Sequence, residues 1–133
     1  MTDSTIEHDL PSTELDSRWP QTMLELMARD VAYVNRLNGW YDDKRTFFDE
    51  LFLITSEVVE AGEAWRESGF ADQTLESDGT VLTKPEGVGS ELADVLIRLL
   101  DTAYRHDIDL MAEYRRKLKY NLTRGYRHGG KRL

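Results

Sequence analysis

The chain has 133 residues, 17 basic and 25 acidic, for a net charge of −8. That length supports one domain burying roughly two-thirds of its unfolded surface, so pairing with a second copy adds much to its stability. The negative field argues against general nucleic-acid binding, and the lack of cysteine removes disulfides, thiolate nucleophiles, zinc–cysteine sites and iron–sulfur clusters together.

Residues 1–18 are polar and acidic, without an apolar period, and read as a disordered tail. A helical domain is expected over residues 19–124. Met23, Met27, Val31, Val34 and Leu37 recur at three- and four-residue steps, the period of an amphipathic helix, and Asn38-Gly39 is a fitting stop. A second, longer helix should run from Asp43 or Thr46 to Glu67, with Phe47, Leu51, Ile54, Val58, Ala61 and Trp65 on its buried stripe. Ser68-Gly69 ends it.

Residues 69–85 carry turn formers and little periodicity and read as an inserted loop, of a length often found in functional covers. Thr83, Pro85 and Glu86 resemble a capping box with proline in the first turn, and Ser90 is a competing helix start. The third helix should then reach Arg105. A fourth is expected from Asp109 to Leu122, with Leu110, Tyr114 and Leu118 as its core stripe. Residues 125–133 read as a flexible basic tail; from Arg115 to Leu133 eight residues are basic and none acidic. Four helices, short connections and no clear strand predict an all-α, antiparallel four-helix bundle-like unit.

The second helix carries Glu57 and Glu60, the third Glu91 and Asp94, each pair spaced i, i+3 on one helix face. Glu91, Asp94, Arg98 and Asp101 share one stripe of the third helix; Leu92, Val95, Leu99 and Ala103 occupy another. A solvated acidic face is the plain explanation of any one pair. Glu57, Glu60 and Asp94, however, are embedded in apolar segments, where uncompensated charge is expensive. Arg98 can pair with Asp94, but one arginine does not neutralise four acids. A divalent cation resolves the conflict, and an all-oxygen donor set suits Mg²⁺, with Mn²⁺ as a substitute, better than zinc or iron. A di-iron bundle needs a histidine three residues after a helical glutamate, whereas those positions hold Glu60 and Asp94.

Glu57-Val-Val-Glu60 and Glu91-Leu-Ala-Asp94 resemble the ExxE and ExxD signature of the all-α MazG-type nucleoside triphosphate pyrophosphohydrolases. The segments Ser56-Glu-Val-Val-Glu-Ala-Gly-Glu-Ala-Trp-Arg66, Lys84 to Asp101, and Lys117-Leu-Lys-Tyr-Asn-Leu-Thr-Arg-Gly-Tyr-Arg-His-Gly-Gly-Lys131 resemble a phage and bacterial MazG-like subgroup. The resemblance spans roughly residues 40–131. It implies an Mg²⁺-dependent enzyme converting (d)NTP to (d)NMP and pyrophosphate, with Glu57, Glu60, Glu91 and Asp94 as catalytic metal ligands. Lys117, Asn121, Arg124 and Tyr126 match family positions that meet phosphate or sugar. Two features depart from the pattern: 30 residues separate Glu60 from Glu91, and Ser56 stands where some members have a further acid.

Trp40 and Trp65 are candidates to stack on a nucleobase, although such side chains are more often core or interface anchors. His106 has no serine or cysteine nearby in the sequence, so a nucleophilic triad has no support, and no P-loop or GxGxxG element occurs. The expected enzyme is therefore a homodimer or dimer of dimers acting on a nucleoside triphosphate, with Glu60 as proton acceptor. No run approaches the ~20 apolar residues of a membrane span, and Met1 to Leu10 lacks the basic and apolar regions of a signal peptide. A cytoplasmic location, no membrane and no stable nucleic-acid partner are the expectations. The alternative is a non-catalytic helical adaptor whose basic C-terminus docks on an acidic partner or nucleic acid.

Overall fold

The structure, a computed structural model, describes residues 21–71 and 84–125. The acidic tail, the middle of the 69–85 loop, Thr83 and all but the first residue of the basic tail lie outside that range. Within it the chain is helical, with four helices and no strand: α1 (Gln21–Leu37), α2 (Phe47–Ser68), α3 (Val88–Arg105) and α4 (Leu110–Leu122). No helix there is long and apolar enough to cross a membrane.

The helix ends follow local chemistry. After α1 the Gly39 N–H donates to Arg36 O (3.1 Å) and the Trp40 N–H to Asn35 O (2.9 Å), with Gly39 at φ +76°. This is a Schellman ending, and it needs the positive φ that glycine adopts without strain. Thr46 caps α2 in a reciprocal box: the Asp49 N–H donates to Thr46 Oγ1 (3.2 Å), and the Thr46 N–H to Asp49 Oδ2 (2.7 Å). Helix α3 starts at Val88 after Gly87 (φ +99°), with no side-chain cap. Neither Pro85 nor Ser90 is its start; the Ser90 hydroxyl donates back to Pro85 O at 3.1 Å. Asp109 caps α4 by accepting the Ala112 N–H at 2.9 Å.

Helices α2 and α3 are antiparallel. Glu50 lies against Arg105 and His106 at one end, and Glu57 against Arg98 further along. Helix α1 also packs on α3. Helix α4 makes no comparable contact with the other three, so the described chain packs three helices together and leaves α4 apart. The expected core stripe of α4 is correspondingly uncovered: Tyr114 and Leu118 are exposed, and no α4 residue is buried.

The buried faces also differ from those expected. In α1, Met23, Val34 and Leu37 are exposed and Ala32 is buried. In α2, Phe47, Leu51, Val58 and Trp65 are exposed, and the inward side carries Glu50, Glu57 and Ala61. In α3, Leu92 and Leu99 face solvent, whereas Asp101 is buried and Glu91, Asp94 and Arg98 are partly so. The charged stripe of α3 thus lies inside and much of its leucine stripe outside. Apolar periodicity selects the covered face only when one face is apolar, and α2 also carries Phe48, Phe52, Leu53 and Val59 outside the expected stripe. Among the described residues the resulting apolar core is thin, with Ala32, Ala61, Leu100 and Ala103 as its buried members.

Candidate metal centre and adjoining cleft

The antiparallel register brings Glu91 of α3 against Glu57 and Glu60 of α2. One carboxylate oxygen from each of Glu57, Glu60 and Glu91 lies within 4.8 Å of the others. Glu57 is 5% exposed, Glu91 is half-buried in the first turn of α3, and Glu60 is open to solvent. A helix N-terminus favours the carboxylate form, yet the Glu91 carboxyl is pushed above its ordinary range. Loss of hydration is the largest cause, followed by the charges of Glu60, Asp94 and Glu57; only Lys84 opposes them. The crowding anticipated from spacing is therefore present. Asp94 stands outside the group of three, on the wall of the adjoining cleft.

That cleft, about 180 Å³ in volume, is lined by Asn35, Trp40, Arg45, Glu57, Asp94, Ile97, Arg98 and Asp101. Its aromatic wall is placed by the Schellman turn and by Arg105, whose guanidinium donates to Trp40 O at 3.0 Å. The Arg45 guanidinium lies over the Trp40 ring, 4.8 Å from its centroid. Arg98 pairs through Nε with Glu57. The expected partner, Asp94 one turn back on α3, yields to Glu57 because the more deeply buried carboxylate gains more from a counter-charge.

A second buried cluster is fully paired. Asp101 accepts from the Tyr41 hydroxyl (2.6 Å) and from Arg105 Nε (2.9 Å). Glu50 lies 2.7 Å from His106 Nε2 and 3.9 Å from Arg105 Nε. His106, edge-on to Phe47 at 5.1 Å, is thus a helix-end partner of a buried acid. Among the described residues every buried side-chain nitrogen or oxygen has a hydrogen-bond partner.

Lys117, on exposed α4, and Arg124, just beyond its C-terminal end, each lie 5.8 Å from the Tyr120 ring centroid. Among the described residues no hydrogen bond or ion pair joins them, or Asn121, to the acids. Tyr126 lies outside the described residues. Arg45 and Asn35 were not singled out from the sequence: Asn35 lies in the last turns of α1 and Arg45 just before α2, and only the packing of α1 and the turn after it brings them to the cleft. The donor set of three carboxylates fits a hard divalent cation, and Arg98 already holds a positive charge against one of them. Compared with known proteins, the chain matches no family model, no curated protein and no solved structure.

Proposed function

We propose that the chain is an Mg²⁺-dependent nucleotide pyrophosphohydrolase that converts (d)NTP to (d)NMP and pyrophosphate. The observation that carries this reading is the convergence of Glu57, Glu60 and Glu91 from two antiparallel helices beside a cleft walled by Trp40 and Arg45. Glu57, Glu60 and Glu91 would hold the metal, with Asp94 completing the set from the cleft side. Bound Mg²⁺ supplies neutralisation of the charge on the triphosphate.

The protein's own groups do the rest. Glu60, the most exposed of the acids, accepts the proton of a water that attacks the α-phosphorus, while the α–β bridging oxygen leaves with pyrophosphate. Trp40 offers a stacking face to the base, and Arg45 a charge-assisted donor to phosphate. The outward leucines of α3 and the exposed Phe48 and Phe52 of α2 support a homo-oligomer, since patches of this kind mark interfaces.

A helical adaptor is the second reading, favoured by α4, whose basic face stands clear of the other helices. Release of pyrophosphate from a panel of nucleotides, with and without Mg²⁺, separates the two. Turnover that needs Mg²⁺ and is lost in Glu57→Gln, Glu60→Gln, Glu91→Gln and Asp94→Asn supports the enzyme. No release from any nucleotide by folded wild-type protein would leave the adaptor.

A further inference from the structure

Two arginines serve the buried acids of this fold, and they are held differently. Arg105 is locked: it bonds Asp101 and Trp40 O, lies near Glu50, and covers the Tyr41 ring at 3.7 Å. Arg98 makes, among the described residues, a single ion pair, through Nε with Glu57. Among the described residues its terminal nitrogens make no hydrogen bond, and its side chain, 29% exposed, lines the cleft.

Glu57 is therefore claimed twice. It is the most buried of the three carboxylates whose oxygens lie within 4.8 Å of one another, and it is also the partner of Arg98. A guanidinium and a divalent cation repel each other, so full engagement of Glu57 by one weakens the other. We infer that Arg98 is the exchangeable counter-ion of Glu57: it neutralises this carboxylate in the metal-free protein, yields it to a divalent cation, and then meets the anionic substrate in the cleft beside Arg45. This rests on the metal-site reading above. It makes metal and anion binding mutually reinforcing, because an anion that engages Arg98 loosens its hold on Glu57, and linkage requires the reverse as well.

The test is Mn²⁺ binding to nucleotide-free protein, followed by the resonance of free Mn²⁺, for wild type, Arg98→Gln and Arg98→Lys. Arg98→Gln removes the competing charge and should bind Mn²⁺ about tenfold more tightly. It should also melt lower than wild type without metal and regain more on adding Mn²⁺. Arg98→Lys keeps the charge but not the planar Nε donor and should tighten Mn²⁺ binding a few-fold. If circular dichroism shows Arg98→Gln unfolded, the Lys variant decides. Equal Mn²⁺ affinity in wild type and the folded variants overturns the exchange and leaves the metal site standing. No Mn²⁺ binding by any of the three proteins overturns the metal site itself, and this inference with it.

Discussion

The Tyr41 hydroxyl donates a 2.6 Å hydrogen bond to Asp101 Oδ1, joining the turn after α1 to the buried face of α3. Burial first, and then the bond and charge of Asp101, push the Tyr41 phenol up to about 12. A group whose value is raised on folding adds stability that is full below its unfolded value and is lost as the pH rises through the folded one. Tyr41→Phe should cost about 1–2 kcal/mol at pH 7, less than a full charged hydrogen bond because Arg105 still holds Asp101. The gap between the two proteins should close between pH 10 and about 12. Denaturant titrations across that window check this; a gap independent of pH would refute the assignment.

Glu91 gives the opposite experiment. Its carboxyl is raised by lost hydration and by Glu60, Asp94 and Glu57, so the folded state favours the protonated form. Stability from this group is present below the unfolded value of about 4.3 and is lost as the pH rises through the higher folded value. Glu91→Gln should therefore be more stable than metal-free wild type at pH 7, by up to about 1 kcal/mol, or about 2–8 °C in Tm. The advantage should fade below pH 4 and shrink on adding Mg²⁺. A variant that melts below wild type at pH 7 without metal contradicts the crowding.

The existence of the four described helices, and most of their ends, were legible in the sequence because caps and period are local; the uncapped start of α3 at Val88 was not. The Asn38-Gly39 stop, the Thr46 cap and the Asp109 start are each visible within a few residues of chain. Which face each helix covers was not. The stripe Glu91, Asp94, Arg98, Asp101 reads as solvated on polarity alone and as enclosed on its apolar neighbours; it faces inward, where Tyr41 and Arg105 meet Asp101 and Glu57 meets Arg98. The acidic cluster was legible from spacing. Arg45 was not, since its approach to Trp40 depends on a turn whose shape the sequence signals but whose direction it does not.

Arg45 and Trp40 make a separable prediction for the cleft. If they bind substrate in the ground state and the transition state alike, Arg45→Ala and Trp40→Ala should raise KM while leaving kcat nearly unchanged. Losing a charge-assisted phosphate contact is worth about 1.5–3 kcal/mol, or roughly 10- to 150-fold. Their exposed cation–π pair contributes only about 0.5–1 kcal/mol to stability. Steady-state kinetics beside melting curves would show it; variants that melt lower with unchanged KM would make the pair structural.

The proposed homo-oligomer would cover apolar side chains that the described core leaves exposed. With Phe48, Phe52, Leu92 and Leu99 exposed on a 15.4 kDa chain, light scattering at micromolar concentration should report at least twice that mass. Phe52→Glu is expected to lower the measured mass or the melting temperature if α2 carries the contact, since burying a charge there is costly. A monomeric wild type would remove the oligomer from the proposal.

The last prediction concerns α4, where the enzymatic and adaptor readings part. Lys117 and Arg124 are exposed, flank the Tyr120 ring and support no buried side chain, so replacing them should leave the packing of α1, α2 and α3 intact. If they meet the triphosphate, each loss removes about 1.5–3 kcal/mol of transition-state binding, or roughly 10- to 150-fold in kcat/KM. If they only complement the helix C-terminus, the loss is about 0.3–1 kcal/mol of stability with kinetics unchanged. Because α4 stands apart from the acids in the described chain, a catalytic role also requires α4 to move or a second copy to supply it. Mixing Lys117→Ala with Glu57→Gln protein distinguishes these: activity regained by the mixture means that α4 of one copy serves the acids of another. Two variants with normal turnover alone and lowered melting temperatures return both residues to helix-end electrostatics.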